Sequence, residues 1–128
     1  MSENVHDLQA WANAQMHFSE ARVLDPQRSP ASLVHAAYYS MFHAARASLL
    51  RQSGSAPKKH VDVIRQFGSL VKDGDAGLRQ AGHDLNRVWE LRVTADYRDT
   101  SKVTSAEASE ALQKASGFLD LCQRRFGF

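Results

Sequence analysis

One cysteine, three prolines and seven glycines are all that 128 residues contain of the types that staple, break or loosen a chain. A lone Cys122 excludes an intrachain disulfide and any cysteine-cluster metal site, so the fold must rest on apolar burial, and a reducing cytoplasm suits it. The scarcity of Pro and Gly leaves few obligatory breaks, which favours helices. Long apolar runs are missing too. The longest, "AAYYSMFHAARASLL", is interrupted by Ser40, His43 and Arg46 and is short for a bilayer. The opening "MSENVHDLQAWANAQ" lacks the basic segment and apolar stretch of a secretory signal. A soluble, cytoplasmic protein with no membrane contact is the expectation. Charge of one sign is also lacking: 16 Lys and Arg against 14 Asp and Glu leave a net +2, far from the dense basic footprint of a dedicated duplex-DNA binder. RNA contact is permitted, not required.

What is present is helical periodicity in a chain of one-domain size, residues 1–128, able to remove roughly two-thirds of its unfolded surface from water. From about 4 to 24, Leu8, Trp11, Ala12, Gln15 and Phe18 recur at helical spacing, ending where Pro26 cannot continue. Ser29 before Pro30 signals a second start, and that helix runs to about Gln52. Its one face carries Val34, Tyr38, Met41, Phe42, Ala45 and Leu49, its other Ala36, Ser40, Ala44 and Ala47. With both sides packable it is central, either inside one bundle or with one face against a second subunit.

Pro57 is expected to open a shorter helix to about Val71, with Val61, Ile64 and Phe67 or Gly68 inward. "VKDGDAG" predicts a turn, and a fourth helix follows from about Asp75 to Tyr97 on a stripe of Leu78, Ala81, Leu85, Val88 and Trp89. Thr104 with Glu107 three residues on reads as a capping box for a last helix, whose Ala108, Ala111, Leu112, Ala115, Phe118, Leu119 and Cys122 keep register. No strand-period segment or repeat interrupts them. The predicted fold class is all-α, an up-and-down bundle of four long helices plus a shorter one.

Within "WELRVTADYRDT", Arg92 and Asp96 fall on the extension of the fourth apolar stripe. An acid four residues before a base supports a helix better than the reverse order found here. On an apolar stripe, each charge would cost several kcal/mol unless well partnered. Either a structural ion pair or a functional site is implied. His35, Tyr39 and Arg46 lie along one flank of the second helix, where a histidine can equally be a hydrogen-bonded core residue. "PKKH" places Lys58, Lys59 and His60 in the expected first turn of the third, as a solvated cluster or a phosphate contact. Zinc-protease, phosphate-loop and nucleophile-elbow signatures are missing, and no metal or cofactor is expected.

Three blocks in order, "ASLVHAAYYSMFHAARASLL", "KKHVDVIRQFG" and "LNRVWELRVTADY", resemble the HEPN superfamily, most closely its small stand-alone bacterial and archaeal branch, over roughly residues 5–125. The resemblance implies a helical bundle that forms homodimers with a groove at the interface. It also implies either a metal-independent endoribonuclease, in many cases a toxin neutralised by a partner with a minimal nucleotidyltransferase fold, or a non-catalytic nucleotide-binding or RNA-binding companion. The family motif is an Arg followed, after four to six residues, by His. Here Arg92 takes the Arg position, Val93 follows it, and Asp96 and Tyr97 stand where the histidine belongs.

Metal-free RNA cleavage needs a base for the 2′-hydroxyl, an acid for the leaving oxygen and a cation for the phosphorane. Arg92 suits the last role, because its planar fork matches phosphate oxygens. Asp96 would orient Arg92 or act as base, and His60, or His35 with Tyr39, would supply the absent imidazole. Tyr97, His35, Tyr39, Arg46, Lys58 and Lys59 are the candidate substrate contacts. If no bond is broken, Arg92, Arg46, Lys58 and Lys59 would only hold a nucleotide or RNA phosphate. A dimeric scaffold would need no ligand.

Overall fold

The computed structural model describes residues 5–97 and 103–128, the side chains of Val5 and Tyr97 excepted. Among them are five helices: α1 (Val5–Val23), α2 (Pro30–Ser53), α3 (His60–Val71), α4 (Ala76–Tyr97) and α5 (Ser105–Phe126). No strand occurs among the described residues, so the protein is the expected all-α bundle.

The boundaries follow local chemistry. Pro30 occupies the first turn of α2, and Gly54, at φ 81°, closes it by donating its N–H to the Leu50 carbonyl. Thr104 and Glu107 form the predicted reciprocal cap of α5. Gly127, at φ 83°, ends α5. Helix α3 starts later than expected, at His60 instead of Pro57. The Pro57 carbonyl accepts a hydrogen bond from Arg46 Nε at 3.0 Å, and Lys59 is extended, so residues 57–59 form a braced approach to the helix.

Helix α2 packs against all four other helices and is buried over most of its circumference, from Leu33 and Tyr38 on one side to Ala44 and Ala47 on another, with a partly exposed stripe of His35, Ala36, Tyr39, His43 and Arg46 left between. Both expected faces are thus packed within one chain, Ala36 excepted. Two buried hydroxyls in it, Ser40 and Ser48, donate to the carbonyls of Ala37 and Ala44, which leaves no stranded donor.

Two inward faces differ from the sequence expectation. On α1 Leu8 is exposed and Ala12 also faces solvent, while Asp7, Ala10, Trp11, Ala14 and Ala21 are buried. The small side chains let α1 approach α2 closely, a contact that weighting by apolar bulk overlooks. On α3 Val61 is exposed and Val63, Ile64, Phe67 and Val71 point inward, with Phe67 against Phe118 of α5 at 5.1 Å between rings. Cys122 is fully buried, and burial pushes its thiol up to about 12, so it packs as an inert apolar group.

Candidate functional site

The last turns of α4 lie beside the first half of α2, and this juxtaposition partners the Arg92 and Asp96 charges. The Arg92 side chain is only 13% exposed, with Nε 3.0 Å from Asp96 Oδ2. The attraction is coulombic, because the buried Nε–H makes no hydrogen bond despite that distance. Nη2 donates to the Tyr39 hydroxyl at 3.3 Å. The guanidinium carbon lies 5.4 to 5.5 Å from the ring centres of Tyr38, Tyr39 and Trp89, an aromatic surround that stabilises a poorly hydrated cation.

Asp96 is shared. Its second oxygen lies 3.2 Å from Nδ1 of His35, across from α2. The carboxylate therefore bridges a guanidinium and an imidazole, and the imidazole is 44% exposed, within reach of solvent and ligand. Asp96 also sits in the final turn of α4, where the helix dipole disfavours a carboxylate. One partner, Arg92, lies one turn earlier on the same helix, and the other, His35, comes from α2.

His60 occupies a different layer. Its Nδ1 is hydrogen-bonded to the Tyr38 hydroxyl at 2.7 Å, and its ring stacks on Phe42 at 4.3 Å and lies 5.8 Å from Trp89. Burial first, then the Arg92 charge, lowers the His60 pKa, while burial raises that of Tyr38, so both stay uncharged.

A groove of about 570 Å³ opens between α1, α2 and the end of α4. His35, Tyr39 and Asp96 line one part of it, and His17, Glu20 and His43 line another. Arg46 braces the α3 approach, and Lys58 and Lys59 are exposed beside it, but none of the three lines the groove. The candidate contact Tyr97 has its side chain outside the described residues. Sequence reading missed His17, Glu20 and His43 because they converge from two helices. The available signal was that His17 is three residues after Ala14 and four before Ala21, on the edge of the buried face.

His17 and His43 stack nearly parallel, 5.2 Å apart with 5° between planes, and His17 Nδ1 lies 2.9 Å from Glu20 Oε1. His43 Nδ1 is buried without a hydrogen-bond partner. Burial, followed by the charges of His17, Arg46 and His60, pulls its pKa down to about 4. A histidine neutral in the fold but protonated in the unfolded chain makes stability fall as pH drops from about 6.5 towards 4. After allowance for solvent screening the loss from His43 is about 2 kcal/mol. Thermal unfolding followed by circular dichroism should show a lower Tm at pH 5 than at pH 7.5. His43→Leu should shrink that difference, and an unchanged pH response would show that His43 does not govern it.

Among the described residues no three His, Cys, Asp or Glu side chains are placed to hold a metal ion. No described helix is long and apolar enough to cross a membrane.

His35 and Asp96 line the groove and Arg92 is packed behind them without lining it, and comparison with known proteins places this five-helix chain in a family. The chain matches the family described as HEPN domain over residues 9–125. It is 34% identical over 107 residues to a Methanocaldococcus jannaschii protein named "Putative toxin", covering 84% of this chain and 78% of that one. It is 29% identical over 126 residues to a "UPF0332 protein" of Thermotoga maritima, covering 97% and 94%. A second Methanocaldococcus jannaschii "Putative toxin" is 33% identical over 84 residues, covering 65% and 56%. The chain belongs to the HEPN domain family.

Proposed function

We propose that this HEPN protein is a toxin-type endoribonuclease that cleaves RNA without a metal ion, with the groove beside Arg92 as its active site. The observation that carries the reading is the Asp96 carboxylate held between Arg92 at 3.0 Å and His35 at 3.2 Å, which supplies an oriented imidazole although the motif position has none. The relatives named as toxins support the biological setting.

In this reading His35 takes the proton of a ribose 2′-hydroxyl, with Asp96 orienting the ring and stabilising the imidazolium that forms. The 2′ oxygen bonds to phosphorus, and the bond from phosphorus to the 5′ oxygen breaks. Arg92 offsets the charge of the phosphorane between them. Tyr39, which accepts from Arg92, has its own proton engaged by no acceptor among the described residues and gives it to the departing 5′ oxygen. The products are a 2′,3′-cyclic phosphate and a free 5′-hydroxyl. His60, in its aromatic layer, maintains the shape of the Arg92 surround. A homodimer and a nucleotidyltransferase-fold antitoxin partner belong to the same proposal.

Purified protein in excess chelator should cut single-stranded RNA and leave cyclic-phosphate ends. His35→Ala should lower kcat at least about a hundredfold, as expected for loss of a general base. Intact RNA at high enzyme concentration would overturn the proposal. Retained RNA binding by that inactive protein would then favour the non-catalytic binding module.

A further inference from the structure

The groove extends well past the Arg92, Asp96 and His35 cluster, and its α1 side has a chemistry that cleavage does not use. His17 rests on His43 to make a two-ring stack, and both rings lie against Tyr39, His17 at 5.7 Å and His43 at 6.3 Å between centres. The His17 side chain is one-quarter exposed and lines the groove. Beside it Glu20 presents a carboxylate with one oxygen on His17 and the other bonded to nothing described. Its side chain is 57% exposed.

Aromatic and imidazole faces of this kind stack nucleobases, and a carboxylate only accepts hydrogen bonds. Of the four RNA bases, guanine alone offers two adjacent N–H donors on its pairing edge. Adenine and cytosine place an acceptor beside their amino group, and uracil flanks its single N–H with carbonyls, so each would set a lone pair against the carboxylate. The groove volume of about 570 Å³ falls in the range of small-molecule pockets. Tyr39 lies between the two parts of the groove, with His35 at 5.0 Å and His17 at 5.7 Å from its ring centre. A base on His17 therefore leaves its own sugar and phosphate on the His35 and Asp96 side.

We infer that His17 and Glu20 form a guanine-selective base subsite, with His17 as the stacking platform and Glu20 as the reader of the pairing edge. This deepens the proposed function and rests on it for the position of the scissile phosphate, but selective binding needs no cleavage.

The test is calorimetry of the intact protein with 3′-GMP, 3′-AMP, 3′-CMP and 3′-UMP, alongside RNA cleavage in chelator. Wild-type protein should bind 3′-GMP about tenfold more tightly than the other three, the ratio one charge-assisted hydrogen bond supplies. Glu20→Gln should reduce that preference to about threefold or less, both by weakening 3′-GMP and by tightening 3′-AMP, whose adjacent acceptor and amino group an amide complements. His17→Ala should weaken all four about tenfold, and His17→Phe should restore them, because stacking tolerates any flat ring. Equal affinity for the four nucleotides, or 3′-GMP binding indifferent to both substitutions, would overturn the subsite. If RNA stays intact while 3′-GMP is still selected, cleavage fails and the subsite stands. If RNA is cut without regard to guanine and Glu20→Gln changes nothing, the subsite alone fails.

Discussion

Arg92→Ala is expected to reduce chelator-resistant RNA cleavage about a thousandfold, and Arg92→Lys about a hundredfold, with circular dichroism spectra like that of the parent. Preorganised charge aimed at a transition state commonly accounts for factors of this size. The lysine variant keeps a positive charge but loses the planar fork, and with it the simultaneous approach to Asp96 and Tyr39. Its intermediate loss would separate charge from geometry. The Nε edge of Arg92 is buried against Asp96, so a phosphate oxygen would have to approach one of its terminal nitrogens. If Arg92→Ala instead lowers Tm by many degrees while cleavage per folded molecule is retained, the cluster is a structural tie between α4 and α2 and the active site lies elsewhere.

The same residues show what a sequence can disclose. The reversed order of Arg92 and Asp96 was visible in one heptad-sized window, because helix electrostatics are local and the pair violates them. The Thr104 cap and the Pro30 start were legible for the same reason, each being fixed within four residues. His35 lies 61 positions from Asp96, and its pairing depends on how α2 crosses α4, which no local rule specifies. His17 and His43 meet through a contact of α1 with α2 whose register is set by Ala10, Ala14 and Ala21, residues too small to dominate an apolar count. Bulk drew attention to Leu8, and close packing placed it outside. Val61 is exposed because the inward stripe of α3 runs through Val63, Phe67 and Val71, which leaves Val61 off its edge.

The most stability-sensitive site should lie at the other end of α1, where sequence reading saw nothing. Asp7 is a buried carboxylate, 5% exposed, and Arg51 Nε donates to it at 2.8 Å. Arg51 Nη1 donates to the carbonyls of Phe126 and Gly127, and its guanidinium lies 3.9 Å from the Phe128 ring centre. Phe128 in turn stacks on Trp11 at 4.7 Å. One arginine thus joins α1, the end of α2 and the segment after α5. Arg51→Ala would strand the Asp7 charge away from water, a defect that costs about 3–5 kcal/mol. At this chain length that is a Tm lower by about 11–19 °C in calorimetry. The double variant Asp7→Leu with Arg51→Met should recover a large part of that loss, because it removes the buried charge together with its partner. None of these side chains lines the groove, so nucleotide binding per folded molecule should not change. A double variant no more stable than Arg51→Ala would place the main contribution in the guanidinium's contacts with the Phe126 and Gly127 carbonyls and the Phe128 ring, which both variants lack, instead of in the buried pair.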